Sequence, residues 1–257
     1  MQIKNKFNLE GKVAIVTGSS KGIGKAIAKA FAEQGATVII SSRKQEACEE
    51  VVASFKEDGL KAHAIACHVG DQKSRSDLVK KTVELCGGID ILVNNAATNP
   101  VFGPIEDASS EAFDQIMNIN VKAPWALTNQ CLEPMKLRKG GSIINISSIE
   151  GEHPGYGLGL YSTSKAALSM LTKNQAKEWG KYSIRVNAIC PGLIQTKFSS
   201  ALWNNNKIMQ QIKHKLPLAR MGQSEEIASV ALMLASEAGS YMTGSLLVAD
   251  GGFLISG

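Results

Sequence analysis

The chain has 257 residues, 44% of them hydrophobic and 20% charged, which suits one α/β domain around a sizeable core and excludes a disordered or fibrous chain. Net charge is +5 with Lys and Arg spread along the chain rather than in a block, so no nucleic-acid surface is expected. The 5 cysteines form no CxxC pair and the 4 histidines show no ligand spacing, which argues against a disulfide framework and a metal site and for a reducing compartment.

In chain order, a strand near 13–17 leads through TGSSKGIG into a helix near 23–34. Strand 37–41, helix 44–58, strand 62–67, helix 72–86 and strand 89–93 follow. A loop at 94–110 with two prolines precedes a long helix over 111–137. Strand 142–147, helix 160–181 and strand 184–190 come next. An apolar-rich insertion at 191–223 then separates these from helix 224–236 and strand 246–249. Several strands are nearly all apolar, as strands covered on both faces are. Regular βα alternation predicts a Rossmann-type, doubly wound α/β fold: a seven-stranded parallel sheet with helices on both faces, one domain over 1–257. Long segments outside the scaffold often wall a binding site, so 191–223 is expected to be a substrate lid. No apolar run approaches the ~18 residues of a membrane span, and 1–11 has no apolar signal core; a cytoplasmic protein without a membrane partner is the expectation.

Three glycines directly after a strand have four known uses. A P-loop fails twice: Ser19 stands where its first glycine belongs, and Ala26 follows Lys25 where a hydroxyl should hold magnesium. Residues 18–22 match the GxSxG nucleophile elbow around Ser20, but only 17 residues precede the motif, too few for the strand that supplies an oxyanion hole. A dinucleotide turn or a plain tight turn remains. In the first, Gly18 permits the sharp turn while Gly22 and Gly24 admit a pyrophosphate at a helix N-terminus. The end of the second strand bears on the choice. It reads Ser41-Ser42-Arg43-Lys44, and no Asp or Glu occurs from 36 to 45 to take a ribose 2′-hydroxyl. Arg43, with Lys21 from the glycine loop, suits a 2′-phosphate instead, which favours NADP(H) over NAD(H).

Tyr161 alone among the four tyrosines has a lysine, Lys165, at i+4, on the same face of a helix. A nearby ammonium favours the phenolate and is expected to bring the phenol toward neutral pH as an acid/base. Ser148 closes the strand before it, at the edge where open α/β sheets place ligands. Asn118 and Asn120 sit inside the preceding helix, where asparagine has poor propensity.

Together these residues identify a resemblance to the short-chain dehydrogenase/reductase family that covers essentially the whole chain. It rests on TGSSKGIG, on NNAA at 94–97, and on Asn120, Ser148, Tyr161 and Lys165. Pro191-Gly192 with Thr196 and the closing Asp250-Gly251-Gly252 complete it. The resemblance implies that Tyr161 protonates a carbonyl oxygen as hydride arrives, and that Lys165 holds the nicotinamide ribose. Ser148 would position the carbonyl, and Asn120 would hold a water in a proton relay. The loop with Gly18, Ser20, Gly22, Ile23 and Gly24 would bind the pyrophosphate. Lys21, Ser42 and Arg43 would surround the 2′-phosphate, Asn95 beside Ala96 would face the adenine ribose, and Pro191, Gly192, Ile194 and Thr196 the carboxamide end. His68-Val69 stands where the family usually has Asp-Val against adenine, and Ala97 where it has glycine.

SSRK and CHVG look like the NADP-dependent carbonyl and retinal reductases of peroxisomal type, although the chain closes on Ile255-Ser256-Gly257 rather than a Ser-Lys-Leu-like tripeptide. The expected activity is NADPH-dependent reduction of a medium-sized ketone or aldehyde. Its pocket would be walled by Pro100, Val101, Ile149, Glu150, His153, Tyr156, Leu193, Phe198, Leu202, Trp203 and Met209. A 3-oxoacyl-carrier reductase is the rival activity, and a non-catalytic NADP(H)-binding sensor or scaffold the alternative of another class. Excess apolar surface on 111–137 and 160–181, including Trp125, Leu127, Leu132, Leu168, Met170, Leu171 and Trp179, fits the homotetramer that the resemblance implies; burial against the sheet is the other reading.

Overall fold

The structure, a computed structural model, describes residues 3–197, 199 and 216–256. Its strands are β1 (Val13–Thr17), β2 (Thr37–Ser41), β3 (Ala62–Ala64), β4 (Ile91–Asn94), β5 (Gly141–Ile146), β6 (Ile184–Pro191) and β7 (Leu246–Ala249). All pair in parallel, in the order β3-β2-β1-β4-β5-β6-β7. The helices are α1 (Gly22–Glu33), α2 (Gln45–Glu57), α3 (Gln72–Cys86), α4 (Ser110–Met117), α5 (Ala123–Leu137), α6 (Gly159–Trp179) and α7 (Ser224–Ala235). Chain order reverses between β1 and β4, so the carboxyl end of β1 is the crevice where such sheets bind ligands.

Alternate residues of each strand feed two separate cores, because side chains switch face at every position. Val16, Ile40 and Ile144 pack with Ile27 and Phe31 of α1, Phe55 of α2 and Leu234 of α7. Ile15, Ile39, Leu92 and Ile143 point the other way, onto Leu78 of α3, Leu127 and Cys131 of α5 and Trp179 of α6. The doubly wound, seven-stranded α/β fold expected from the alternation is therefore present, with helices on both faces.

Three elements differ from the sequence reading. Strand β3 closes at Ala64, although Ile65 and Cys67 still donate to Ile40 and Ser42 along the edge of β2. Strand β4 starts at Ile91, because the Asp90 carboxylate, 5% exposed, takes the Val13 N–H and pairs with Arg138. The single helix over 111–137 is broken: α4 and α5 are separated by a π-helical turn, Asn118–Lys122. Pro124, in the first turn of α5, has no N–H to give the Asn120 carbonyl four residues back.

The apolar residues named on the two helices divide. Leu127, Leu168 and Trp179 are buried in the cores, Leu132 and Leu171 are partly covered, and Trp125 and Met170 are exposed. Of the 191–223 segment, Ile194 bridges to Gly222, and Leu193 accepts the Gly222 N–H. Phe198, Leu202, Trp203 and Met209 lie outside the described residues. Among the described residues no helix is long and apolar enough to cross a membrane.

Candidate active site

The glycine loop is built on Thr17, the last residue of β1. Its hydroxyl donates to the Val93 carbonyl and accepts the N–H groups of Asn95 and Ala96 at 3.0 and 3.1 Å. Asn95 then turns its amide back on the loop, donating to the carbonyls of Thr17 (2.8 Å) and Gly18 (3.2 Å). Gly18 has φ +66°, and a Cβ on Gly24 would stand 2.6 Å from the Gly18 oxygen and 2.5 Å from Asn95 Nδ2. The first turn of α1 thus sits directly on the loop, and only glycine fits at 24. Ser19 is fully buried; its hydroxyl donates to Val16 O and accepts the Ser41 N–H, stapling the loop to β2. Lys21 is the N-cap of α1 and supplies no side-chain cap, which leaves first-turn N–H groups available to an anion.

Ser20, Gly22 and Ile23 are partly exposed along this turn, and the Thr196 methyl group lies against Gly22. Thr196 follows Pro191 and Gly192 at the end of β6, with Ile194 buried between them. At the end of β2, Ser42 contacts Cys48 Sγ at 3.2 Å and Arg43 is exposed. Among the described residues neither Arg43 nor Lys21 is part of an ion pair. Beyond β3, His68 is exposed and its N–H donates to Ser74 Oγ, while Val69 is partly buried against the second core.

The candidate catalytic residues gather at the carboxyl end of β5. Ser148 follows that strand and its hydroxyl accepts the Glu150 N–H at 3.1 Å; Tyr161, near the start of α6, hydrogen-bonds the same hydroxyl. Lys165, one turn on and 2% exposed, places its ammonium 5.5 Å from the Tyr161 ring centre and donates to Ile146 O at 2.8 Å. Asn120, in the π turn, accepts from Thr98 N and donates to Thr98 O and Ser164 Oγ. Ser164 Oγ in turn donates to the Tyr161 carbonyl, so the break in the helix is fastened to the catalytic turn of α6.

The chain is similar to known proteins over nearly its whole length. The profile described as enoyl-(acyl carrier protein) reductase matches residues 18–254. Dehydrogenase/reductase SDR family member 4 of Sus scrofa is 45% identical over 250 residues, 97% of this chain and 90% of the relative. The protein of that name from Homo sapiens is 45% identical over 95% of this chain and 88% of its own length. The chain belongs to the short-chain dehydrogenase/reductase family. Among solved structures, a gluconate 5-dehydrogenase from Burkholderia cenocepacia in complex with NADP and tartrate superposes with a TM-score of 0.95 at 29% identity, covering 99% of both chains. A 7α-hydroxysteroid dehydrogenase complexed with NADH and 7-oxo glycochenodeoxycholic acid does so at 0.94 and 34%, covering 98% of both. This short-chain dehydrogenase/reductase is accordingly an oxidoreductase of the NAD(P)-using kind.

In this short-chain dehydrogenase/reductase the paired Lys165 and Tyr161 both carry displaced proton affinities. Burial pushes the Lys165 ammonium down from 10.5 to about 8, with Cys190 opposing. Burial pushes the Tyr161 phenol up from its ordinary 10; the Ser148 hydroxyl opposes this and the Glu150 charge adds to it. The expectation that Lys165 would bring Tyr161 toward neutrality is therefore reversed in the balance: Lys165 sits over the ring while desolvation acts on the hydroxyl.

Spacing alone does not expose several residues of this site. Ser19 is signalled only as a hydroxyl inside a glycine turn. Asn94 donates to Asn145 and Thr128, and Asn145 to Thr172, a buried polar chain from α5 across the sheet to α6. Of the expected substrate walls, Ile149 is 6% exposed and belongs to the core, whereas His153 and Tyr156 are exposed. Among the described residues no group of three or more His, Cys, Asp or Glu gathers as a metal site requires.

Proposed function

We propose that the protein is an NADPH-dependent carbonyl reductase, working reversibly on secondary alcohols, with Tyr161 as its acid/base. The observation that carries this reading is the Ser148–Tyr161 hydrogen bond beside buried Lys165, at the carboxyl edge of the sheet. When bound, NADPH supplies the hydride. Ser148 donates to the substrate carbonyl oxygen and holds it beside Tyr161. Tyr161 gives that oxygen its phenolic proton, and carbonyl becomes alcohol. Lys165 holds the nicotinamide ribose, and Asn120 steadies Thr98 and the start of α6 around it. The choice of NADPH is supported by Lys21 and Arg43, exposed cations outside every ion pair among the described residues, and by a β2 end with no carboxylate from 36 to 45.

The substrate in this reading is a medium-sized ketone or aldehyde, met by Pro100, Val101, His153, Tyr156 and Leu193, with 191–223 as its lid on a single catalytic domain. The protein acts in the cytoplasm as a homotetramer, for which exposed Trp125 and Met170 supply apolar contact. The test is Tyr161→Phe. Turnover should fall ~10²–10⁴-fold, as loss of a general acid does, while NADPH affinity measured by fluorescence stays within about twofold. Near-normal turnover would overturn the mechanism.

A further inference from the structure

Glu150 is a carboxylate in the active site to which the reaction just described assigns no role. It lies in the short turn Ile149–Gly151 that follows Ser148. Its Oε2 accepts two hydrogen bonds, from Gly155 N at 2.6 Å and from Ser162 Oγ at 3.1 Å. Its own N–H donates to the Ser148 hydroxyl at 3.1 Å. One residue therefore touches the carbonyl-positioning serine, the neighbour of the catalytic tyrosine, and the loop that carries His153 and Tyr156. Among the described residues its carboxylate pairs with no Lys, Arg or His. The carboxylate is held in place by these hydrogen bonds.

We propose that Glu150 is a positioning residue of the reaction: its carboxylate ties the 151–158 loop to α6, and its negative charge acts on the Tyr161 hydroxyl. The inference rests on the acid/base reading of Tyr161. The charged and titratable groups around that hydroxyl are few. Lys165 faces it from α6 and Glu150 from the turn after β5. Cys190 of β6 lies by Lys165, Glu152 acts on Cys190, and His153 is exposed on the loop. Among the described residues Glu150 is the anion that acts on the phenol, and its direction is to hold the proton on. That favours Tyr161 as donor, the form needed to reduce a carbonyl, and opposes the phenolate needed to oxidise an alcohol.

The test follows alcohol oxidation against pH. In Glu150→Gln the amide oxygen still accepts from Gly155 and Ser162, so the tether survives and the charge is lost. The pH of half-maximal oxidation should fall by ~0.5–1 unit, about a threefold to tenfold gain in oxidation below the midpoint. Gly155→Ala is the second variant. Its Cβ would stand 2.5 and 2.8 Å from Oε2 and Oε1, so the flexible carboxylate end must move aside while its charge is kept. A smaller fall of the same sign is expected, and this variant decides the question if the Gln protein does not fold. An unmoved midpoint in both, with Tyr161→Phe inactive, overturns the role of Glu150 alone. A Tyr161→Phe enzyme that keeps the wild-type pH profile overturns the acid/base reading on which it rests.

Discussion

Replacing Lys165 by Met should cost the protein its activity and change how its stability depends on pH. The lysine is 2% exposed, and burial lowers its proton affinity from 10.5 to about 8. In the unfolded chain the same group keeps its ordinary value, so below pH 8 both states carry the proton and the folded state bears the cost of a desolvated charge. Between pH 8 and 10.5 the folded state releases the proton first, the unfolded state binds more, and stability rises with pH. From pH 7 to pH 10 this gain amounts to ~2–3 kcal/mol in the wild type and is absent from Lys165→Met. Cys190, pushed up from 9.0 to about 11, lowers stability as pH rises above 9, but both proteins carry it and its contribution drops out of the comparison. The variant also leaves the Ile146 carbonyl without its donor, a cost of ~1–3 kcal/mol that does not vary with pH. The assay is urea unfolding of both proteins at pH 7, 8, 9 and 10, read as the difference in unfolding free energy. Lys165→Met should lose ground to the wild type steadily above pH 8. Parallel curves would refute the buried-charge argument.

Two further outcomes are expected. Arg43→Ala should weaken NADPH about tenfold or more by fluorescence titration and NADH less than about twofold, since an Arg–phosphate pair is lost only with the former; equal losses would remove the phosphate-clamp reading. Gly24→Ala should destabilise the fold by ~1–3 kcal/mol and abolish cofactor binding, because its Cβ meets the Gly18 carbonyl and the Asn95 amide; unchanged thermal unfolding would show that the loop is not close-packed there.

Much of the fold was legible because its determinants are local. Apolar runs such as 142–146 can only be strands covered on both faces, and their alternation with helical patterns dictates a parallel sheet. The candidate site was legible where one element sets the spacing, as the helix does for Tyr161 and Lys165. What depended on distant contacts was not. Asn95 faces the glycine loop through partners more than seventy positions away. A lysine at i+4 announces an attraction for the phenolate, but no spacing announces that the surrounding fold desolvates the phenol, and desolvation is the larger effect. The π turn was hidden for another reason: hydrophobic periodicity averages over a window wider than the fault. Its visible cue is Pro124, which falls inside the single helix expected over 111–137.

That turn also makes the length of the chain around Asn118–Lys122 a fixed quantity. A π turn holds one residue more than the α-helical turn it replaces and so keeps the helices on either side in phase. Removing a single residue would let α4 run straight into α5 with Leu127, Cys131 and Met135 still on the core they fill, but would take away the wide turn that aims Asn120 at Thr98 and Ser164. In this stretch the core tolerates a shorter chain and the candidate site does not.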